Sequence, residues 1–173
     1  WVNEDIQKIV VDSRYHYNEL LEFAERFMPS LEGKIELYQG DIPIFDAYGL
    51  SAELHRSLER KVWLKSGGSI VIDQAEALVA IDVNTGRFVG KTNLEATILK
   101  TNLEAAEEVA YQMRLRNCGG IIIVDFIDME RDENKMRVYR ALDEALKKDR
   151  ARPTIQKISE LGLVEMTRKR TRD

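Results

Sequence analysis

The residues of this sequence best suited to chemistry are polar side chains that end two strongly apolar runs. The run at 79–81 continues into Asp82 and, two residues later, Asn84, and the run at 121–124 ends at Asp125. Side chains two apart on a strand share one face, so Asp82 and Asn84 point the same way. Carboxylates at strand ends suit Mg²⁺, which takes one or two of them and keeps several waters.

The segment between the two runs decides whether the carboxylates meet. Residues 93–116 have the periodicity of an amphipathic helix, preceded by Thr92 with Glu95 three positions later, which is a capping-box signature. A strand, helix, strand order predicts two parallel strands joined by a crossover. Both carboxylates then lie at one edge of the sheet. We predict a shared Mg²⁺ site there, with Asn84 orienting Asp82 or contacting substrate.

A simpler interpretation of these residues stays open. Asp82 and Asn84 would only begin a turn with Thr85 and Gly86, and Asp125 would only cap the following segment. Three further carboxylates lie near predicted strand ends, and their spacing does not select any of them for the site. They are interpreted as solvated loop acids: Asp73, Glu76 and Asp128. Two isolated histidines on predicted helices are interpreted as surface or partly packed residues: His16 and His55.

The remaining patterns predict a mixed α/β chain. Strands are expected over residues 6–11, 34–38, 42–45, 69–72, 77–83 and 121–124, and helices over 15–27, 48–62 and 93–116. The strands at 69–72 and 77–83 are spaced like a hairpin. The run at 121–124 is typical of a strand buried on both faces. We expect an internal boundary at 65–68, and a stop for the third helix at Gly119 and Gly120. The predicted buried stripe of that helix is Leu94, Ile98, Ala105, Val109 and Met113.

Composition and charge limit the class of protein. The chain has 173 residues, 44% apolar and 32% charged, which is typical of a globular protein with one domain, or one domain and part of another. No run approaches the roughly 20 apolar residues of a membrane span. The opening residues 1–4 are neither an initiator methionine nor a signal peptide, so we expect a segment of a longer cytoplasmic chain.

The net charge of −4 is unevenly distributed. Residues 150–173 carry seven basic and three acidic side chains, so this tail is positive and the remainder is more strongly negative. An acidic body with a basic end suits a metal site beside a surface that meets phosphates. Charge alone slightly favours the alternative that the basic residues are a solvated helix end. The single cysteine, Cys118, excludes an internal disulfide and a cysteine-built zinc site, and we predict a buried thiol.

Several common catalytic motifs are missing from the sequence. It contains no G-x-x-x-x-G-K-[ST] loop, no G-x-S-x-G elbow and no H-E-x-x-H helix. Nucleotide hydrolysis by a P-loop, serine-ester chemistry and zincin chemistry therefore have no support.

Three long motifs carry a family resemblance. They are GGSIVIDQAEALVAIDVNTGRFVG at 67–90, TNLEAAEEVAYQMRLRNCGGIIIVDFIDM at 101–129 and DRARPTIQKISELGLVEMTRKR at 149–170. Together they resemble the catalytic core of the RNase E/RNase G family of bacterial endoribonucleases. The likeness is dense from 67 to 170 and looser over KIELYQGDIPIFDAYGL at 34–50.

This resemblance implies an architecture and a site. It implies an α/β (α+β) chain with a DNase I-like catalytic subdomain over 58–173, which contains the strand-helix-strand crossover. Part of an RNase H-like subdomain over 1–57 precedes it. The family's metal-binding aspartates correspond to Asp82 and Asp125 and its supporting asparagine to Asn84, with Mg²⁺ as the cofactor and Mn²⁺ as a substitute.

The resemblance also implies a substrate and a reaction. Family enzymes act in RNA processing and decay, including mRNA decay and rRNA processing. They hydrolyse single-stranded AU-rich RNA with the help of a metal ion and leave 5′-monophosphate ends. Arg150 and Arg152 are predicted to contact the RNA backbone, because guanidinium groups match phosphate geometry.

Other family parts do not occur in this sequence. These are the OB-fold RNA-binding domain, the 5′-monophosphate sensor and the paired cysteines that share zinc between subunits. We therefore expect no zinc site here, a homo-oligomeric parent protein, and weak or absent cutting by this chain alone. The alternative function is a non-catalytic RNA-binding or assembly domain that is inactive without the missing modules.

Overall fold

The chain folds as two compact units, Trp1–Glu53 and Leu54–Asp173. The computed structural model describes residues 6–86, 94–156, 158–159 and 162–171. The predicted mixture of helices and strands is confirmed. The division between the units comes four residues before the predicted subdomain boundary at 57/58, which stays a prediction.

The first unit is a small strand-helix-strand arrangement. Its elements are β1 (Ile9–Val11), α1 (Arg14–Phe27), a 3-10 helix (Pro29–Leu31), β2 (Ile35–Leu37) and α2 (Ile44–Ala47). Strands β1 and β2 pair in parallel, and α1 lies between them in sequence. Ser13 begins α1 by accepting a hydrogen bond from the His16 amide at 3.4 Å. The buried residues Ala24, Leu31 and Ile35 form its core.

The strand predicted at 42–45 is wrong, because this segment turns into helix α2. Pro43 precedes the helix and its carbonyl accepts hydrogen bonds from the Asp46 and Ala47 amides. The side chains of Ile42 and Phe45 are exposed, so they do not line a buried sheet face. Proline fixes a φ angle that suits the start of a helix, and this local preference outweighs the β-like side chains.

The second unit is built around a six-stranded mixed sheet. Helix α3 (Leu50–Leu58) crosses the division between the units. The elements that follow it are β3 (Lys61–Trp63), β4 (Ser69–Gln74), β5 (Leu78–Asn84), α4 (Leu94–Leu115), β6 (Gly120–Asp125), α5 (Asp132–Leu146), β7 (Thr154–Ile155) and β8 (Leu163–Arg168). The strand order is β3-β4-β5-β6-β8-β7. The predicted β4–β5 hairpin and the predicted parallel pairing of β5 with β6 are both confirmed.

One face of this sheet forms the core of the second unit. Every second residue along the central strands is buried in a single apolar cluster with side chains from α4 and α5. In β6 the members are Ile122 and Val124, whereas Ile121 is 51% exposed. The prediction that β6 is buried on both faces is therefore wrong. The side chains that alternate with the core residues belong to the open face, and in β6 they include the apolar Ile121 as well as Asp125.

The long helix α4 confirms most of the predicted pattern. Ala105, Val109 and Met113 are fully buried, but Leu94 is 41% exposed and does not belong to the buried stripe. Thr92 of the predicted capping box lies outside the described residues. The helix ends before the predicted stop at Gly119 and Gly120. Asn117 adopts a positive φ of 48°, and the Cys118 amide donates to the Met113 carbonyl, as in a Schellman motif.

Two further predictions fail around strand β3. The helix expected over 48–62 ends at Leu58, and Val62 instead enters the sheet and the core. The glycine segment at 65–68 is a tight turn inside the second unit, between β3 and β4, and not a boundary. Helix α5 has no counterpart among the predicted elements, although Val138, Leu142 and Leu146 form a stripe at four-residue spacing.

A buried ion pair ties the end of α5 to strand β8. Arg168 donates from Nε to Asp149 Oδ2 at 2.6 Å and from Nη1 to the Cys118 carbonyl at 2.6 Å. Arg168 and Asp149 are both buried. The predicted burial of the Cys118 thiol is confirmed. In the described ranges, none of the helices combines the length and hydropathy that a membrane crossing requires.

The Arg168–Asp149 pair gives a prediction for stability. Arg168→Met leaves the Asp149 carboxylate buried without its cation, and we expect a loss of about 3–5 kcal/mol in the free energy of unfolding at pH 7. Urea denaturation measures this loss. Lys147→Met removes an exposed cation beside Asp143 and Glu144 and serves as the control, with near wild-type stability expected.

The same pair predicts a dependence on pH. Burial tends to raise the pKa of Asp149, but hydrogen bonds from Arg168 and the Ala151 amide outweigh it, so the pKa lies below its ordinary value. A lowered folded-state pKa contributes stability above the unfolded pKa of about 4, and this is lost as pH falls through the folded pKa. We expect the difference between wild type and Arg168→Met to shrink below about pH 4. A difference that stays constant with pH would contradict the assignment.

Candidate active site at the edge of the sheet

The two predicted aspartates are neighbours across the parallel pair of strands. Asp82 of β5 and Asp125 of β6 are directly in register, as the last paired residues of that ladder. Asn84 donates from Nδ2 to Asp82 Oδ2 at 2.7 Å. All three side chains are exposed and belong to the face opposite the core. The structure therefore brings together the three residues that the spacing predicted.

The electrostatics of the pair indicate a place for a cation. Partial desolvation of the Asp125 carboxyl raises its pKa, and the negative charges of Asp82 and Asp128 raise it further. Like charges this close disfavour ionisation, and a bound cation reverses that effect. Sequence spacing did not distinguish Asp73, Glu76 and Asp128. Of these three, Asp128 is the one whose charge raises the pKa of Asp125.

The other two carboxylates have different surroundings. Asp73 accepts a hydrogen bond from Arg60 Nη2 at 2.7 Å, and this pairing lowers the pKa of Asp73. Glu76 lies in the hairpin turn between β4 and β5 and borders a pocket that Gly119 also lines. Gly119 precedes β6, whereas Asp125 ends it, so Glu76 lies at the end of the sheet away from Asp82. The interpretation of both as acids outside the site agrees with these positions.

The donor set at this edge suits an oxygen-loving cation. Within the described ranges, no group of three or more His, Cys, Asp and Glu side chains is arranged to hold a metal ion. A closed protein cage is therefore not built from these residues. Mg²⁺ requires no such cage, because it binds through one or two carboxylates and completes its shell with water and substrate oxygens. Asp82 and Asp125 fit that requirement.

Two glycines near Asn84, Gly68 and Gly86, have no room for a side chain. A Cβ on Gly86 would overlap the Gly67 carbonyl. A Cβ on Gly68 would come within 2.8 Å of the Asn84 carbonyl oxygen. The β3–β4 turn and the end of β5 therefore contact each other backbone to backbone, which supports Asn84 in its position beside Asp82.

Comparison with known proteins identifies the family of this chain. A model of the Ribonuclease E/G family matches residues 1–171. This chain belongs to the ribonuclease E/G family. The resemblance predicted from the three motifs is thereby confirmed. Ribonuclease G of Salmonella typhimurium is 52% identical over 173 residues, and ribonuclease G of Escherichia coli strain K12 is 51% identical over 173 residues. Ribonuclease E of Haemophilus influenzae is 41% identical over 170 residues.

The chain corresponds to part of these family members. The alignments cover 100% of the chain and 35% of each ribonuclease G, and 98% of the chain and 18% of the ribonuclease E. The chain thus spans about a third of the length of the ribonuclease G relatives. The site formed by Asp82, Asn84 and Asp125 lies inside the matched region.

The two predicted RNA-binding arginines lie away from the carboxylates. Arg150 and Arg152 are exposed and follow Asp149 in the sequence. Asp149 is bound to Arg168, and Arg168 is in register with Gly120. Gly120 begins β6 and Asp125 ends it, and these ends are about 16 Å apart at roughly 3.3 Å per residue. The structure therefore groups the arginines with the opposite end of the sheet and not with the predicted metal site.

A residue that sequence reasoning missed holds the segment after Asp125. Asn102 of α4 is fully buried, and its side chain donates to the Ile127 carbonyl at 2.8 Å and accepts from the Ile127 amide at 3.0 Å. The amide side chain thus satisfies both backbone groups of one loop residue. The available signal was an asparagine four residues after Ile98, within the apolar stripe of α4.

Glu95 supports the same loop from the start of α4. Its carboxylate accepts a hydrogen bond from Asn134 Nδ2 at 2.7 Å and a longer one from the Glu130 amide at 3.4 Å. The bond from Asn134 lowers the pKa of Glu95 below its ordinary value. Asn102 and Glu95 together connect α4 to the loop that leaves β6, so the crossover helix also positions the region around Asp125.

We predict that Asn102 is needed for cation binding at the carboxylate pair. Asn102→Ala leaves the buried backbone groups of Ile127 without their partners, and we expect a loss of about 2–4 kcal/mol in stability. Because the Asp125 loop is then released, we also expect weaker Mn²⁺ binding by calorimetry. Gln112→Ala is the control, since Gln112 is equally buried on α4 but bonds to Glu108 and Arg116. Unchanged Mn²⁺ affinity in a folded Asn102→Ala protein would contradict the prediction.

Proposed function

We propose that this chain carries the hydrolytic centre of a Mg²⁺-dependent endoribonuclease. The observation that carries the proposal is the in-register placement of Asp82 and Asp125 on parallel strands, with Asn84 bonded to Asp82. Family membership supports the reaction class, since the matched relatives are named ribonucleases. RNA is therefore the proposed substrate.

The chain's own residues have separable tasks in this proposal. Asp82 and Asp125 would hold the cation, and Asn84 keeps the Asp82 carboxylate in one orientation through its 2.7 Å hydrogen bond. Asn102 keeps the segment after Asp125 in place. When bound, Mg²⁺ supplies Lewis-acid chemistry to the scissile phosphate and favours attack by water. The exposure of the pair on the open sheet face leaves room for an extended substrate.

The finer features of the family belong to the same proposal. We propose single-stranded AU-rich RNA as the substrate, 5′-monophosphate ends on the product and a role in RNA processing and decay in the cytoplasm. We further propose a DNase I-like subdomain over 58–173, part of an RNase H-like subdomain over 1–57, and a homo-oligomeric parent protein. Arg150 and Arg152 would contact RNA away from the scissile bond, since they lie near the far end of the sheet.

Neutralising either aspartate tests the metal site. We expect Asp82→Asn and Asp125→Asn to weaken Mn²⁺ binding at least tenfold, because each removes one of two anionic ligands. Folding should be preserved, since both side chains are exposed. Glu165→Gln is a matched control, because Glu165 is an exposed acid on the same sheet face, paired with Ile123. Calorimetric titration with Mn²⁺ gives the affinities.

Cleavage assays separate the proposal from its alternative. With single-stranded AU-rich RNA and the full-length parent protein, we expect cutting that requires Mg²⁺ and is lost in Asp125→Asn but not in Glu165→Gln. RNA cutting by Asp125→Asn at the wild-type rate would refute the proposed centre. Intact RNA binding with no cutting by any variant, wild type included, would favour the non-catalytic RNA-binding domain.

Asn84 provides an independent test of the same centre. Asn84→Asp replaces the amide that donates to Asp82 with a third negative charge. We expect impaired cleavage, because the added charge repels the substrate phosphate and displaces the cation from its position. Wild-type turnover in this variant would remove Asn84 from the site.

A further inference from the structure

An exposed aromatic side chain and a cation lie together on edge strand β3. Trp63 is 63% exposed, and Lys61 Nζ lies 4.1 Å from the centroid of its ring. Val62 between them is 2% exposed and belongs to the core, so its two neighbours point to the opposite face of the sheet. A tryptophan left this exposed presents a large flat apolar surface to solvent.

This pair shares the open sheet face with the candidate active site. Lys61 is in register with Val71, which is in register with Asp82. Trp63 is likewise in register with Ser69, which is in register with Asn84. Each connection crosses two strand spacings, which is about 10 Å. The aromatic and the cation therefore lie beside the proposed centre, on the side away from β6.

We infer that Trp63 and Lys61 form a subsite for one nucleotide of single-stranded RNA next to the cleavage centre. The indole stacks on the nucleobase, and the ammonium group binds a backbone phosphate. Base stacking on an aromatic side chain tolerates any sequence, since every base has a flat face. This inference rests on the proposed function, because it takes RNA as the substrate of the neighbouring carboxylates.

The charges around Trp63 favour an approach from the open face. Trp63 also borders a groove against α4 that is lined by Glu104, Glu107 and Glu108 together with Arg56 and Lys65. Three acids outnumber two bases there, so phosphates are less favoured on that side. On the open face Asp73 is paired with Arg60, so its charge is compensated. Lys61 supplies positive charge there, and a polyanion with exposed bases matches this combination of cation and aromatic ring.

The test is the binding of a fluorescein-labelled ten-nucleotide AU-rich RNA to the full chain without divalent cations, followed by anisotropy. We expect Trp63→Ala to weaken binding about 5- to 150-fold, the range for loss of one stacked base. Trp63→Phe should retain most of the affinity, because a benzene ring still stacks. Lys61→Met should reduce the salt dependence of binding by about 0.7 in the logarithmic slope, as for one lost phosphate contact.

The control is Phe27→Ala, which truncates an aromatic side chain of similar exposure, 68%, in the first unit. It should bind RNA as the wild type does. Wild-type affinity in Trp63→Ala, an equal loss in Phe27→Ala, or no RNA binding by the unmodified chain would each overturn the subsite. Failure of the cleavage centre is recognised separately, since it is read from Asp125→Asn cutting with Mg²⁺ and not from binding without metal.

Discussion

The parallel, in-register pairing of β5 with β6 is the constraint on which the site depends, because it places two carboxylates side by side. Asp82 and Asp125 are in register, and the pKa of Asp125 is raised by burial and by its acidic neighbours. A cation bound between the two carboxylates would offset the effect of the neighbouring negative charges. The parallel β5–β6 pairing, the hydrogen bond from Asn84 and the anchoring of the following loop by Asn102 all act on these two side chains.

The sheet assigns opposite roles to its two faces. One face is covered by α4 and α5 and contains the apolar cluster that stabilises the second unit. The other face carries Asp82, Asn84 and Asp125, with Lys61 and Trp63 two strands away. Because strand residues alternate, every core residue fixes the direction of its neighbours. Packing on the covered face thereby determines which residues point to the open one.

Buried polar contacts fix the two ends of the sheet in different ways. At the end with the carboxylates, a neutral amide, Asn102, satisfies both backbone groups of Ile127. At the other end, Arg168 pairs with Asp149 and also binds the Cys118 carbonyl. The ion pair determines where the segment with Arg150 and Arg152 leaves α5. Arg150 and Arg152 are thus held near the end of the sheet that lies away from the carboxylates.

The sequence by itself determined the elements whose signals are local or lie close together along the chain. The β4–β5 hairpin, helix α4, the parallel partner strand β6 and the meeting of Asp82 with Asp125 follow from periodicity, turn residues and the crossover rule. Family membership likewise followed from motifs. Boundaries were less accurate, because Pro43 and Asn117 redirect the backbone where side-chain patterns suggested otherwise.

Only the tertiary structure decided which distant residues share a surface. The role of Asn102 is visible only from its hydrogen bonds to Ile127, and Asp128 is distinguished from Asp73 and Glu76 only by their neighbours. Lys61 fell inside the helix predicted over 48–62 and Trp63 fell outside every predicted element. The register of Lys61 with Val71 and of Trp63 with Ser69 places both residues near the site. The physical reason is that cross-strand and helix-to-loop contacts depend on pairing between segments far apart in sequence, which local periodicity does not encode.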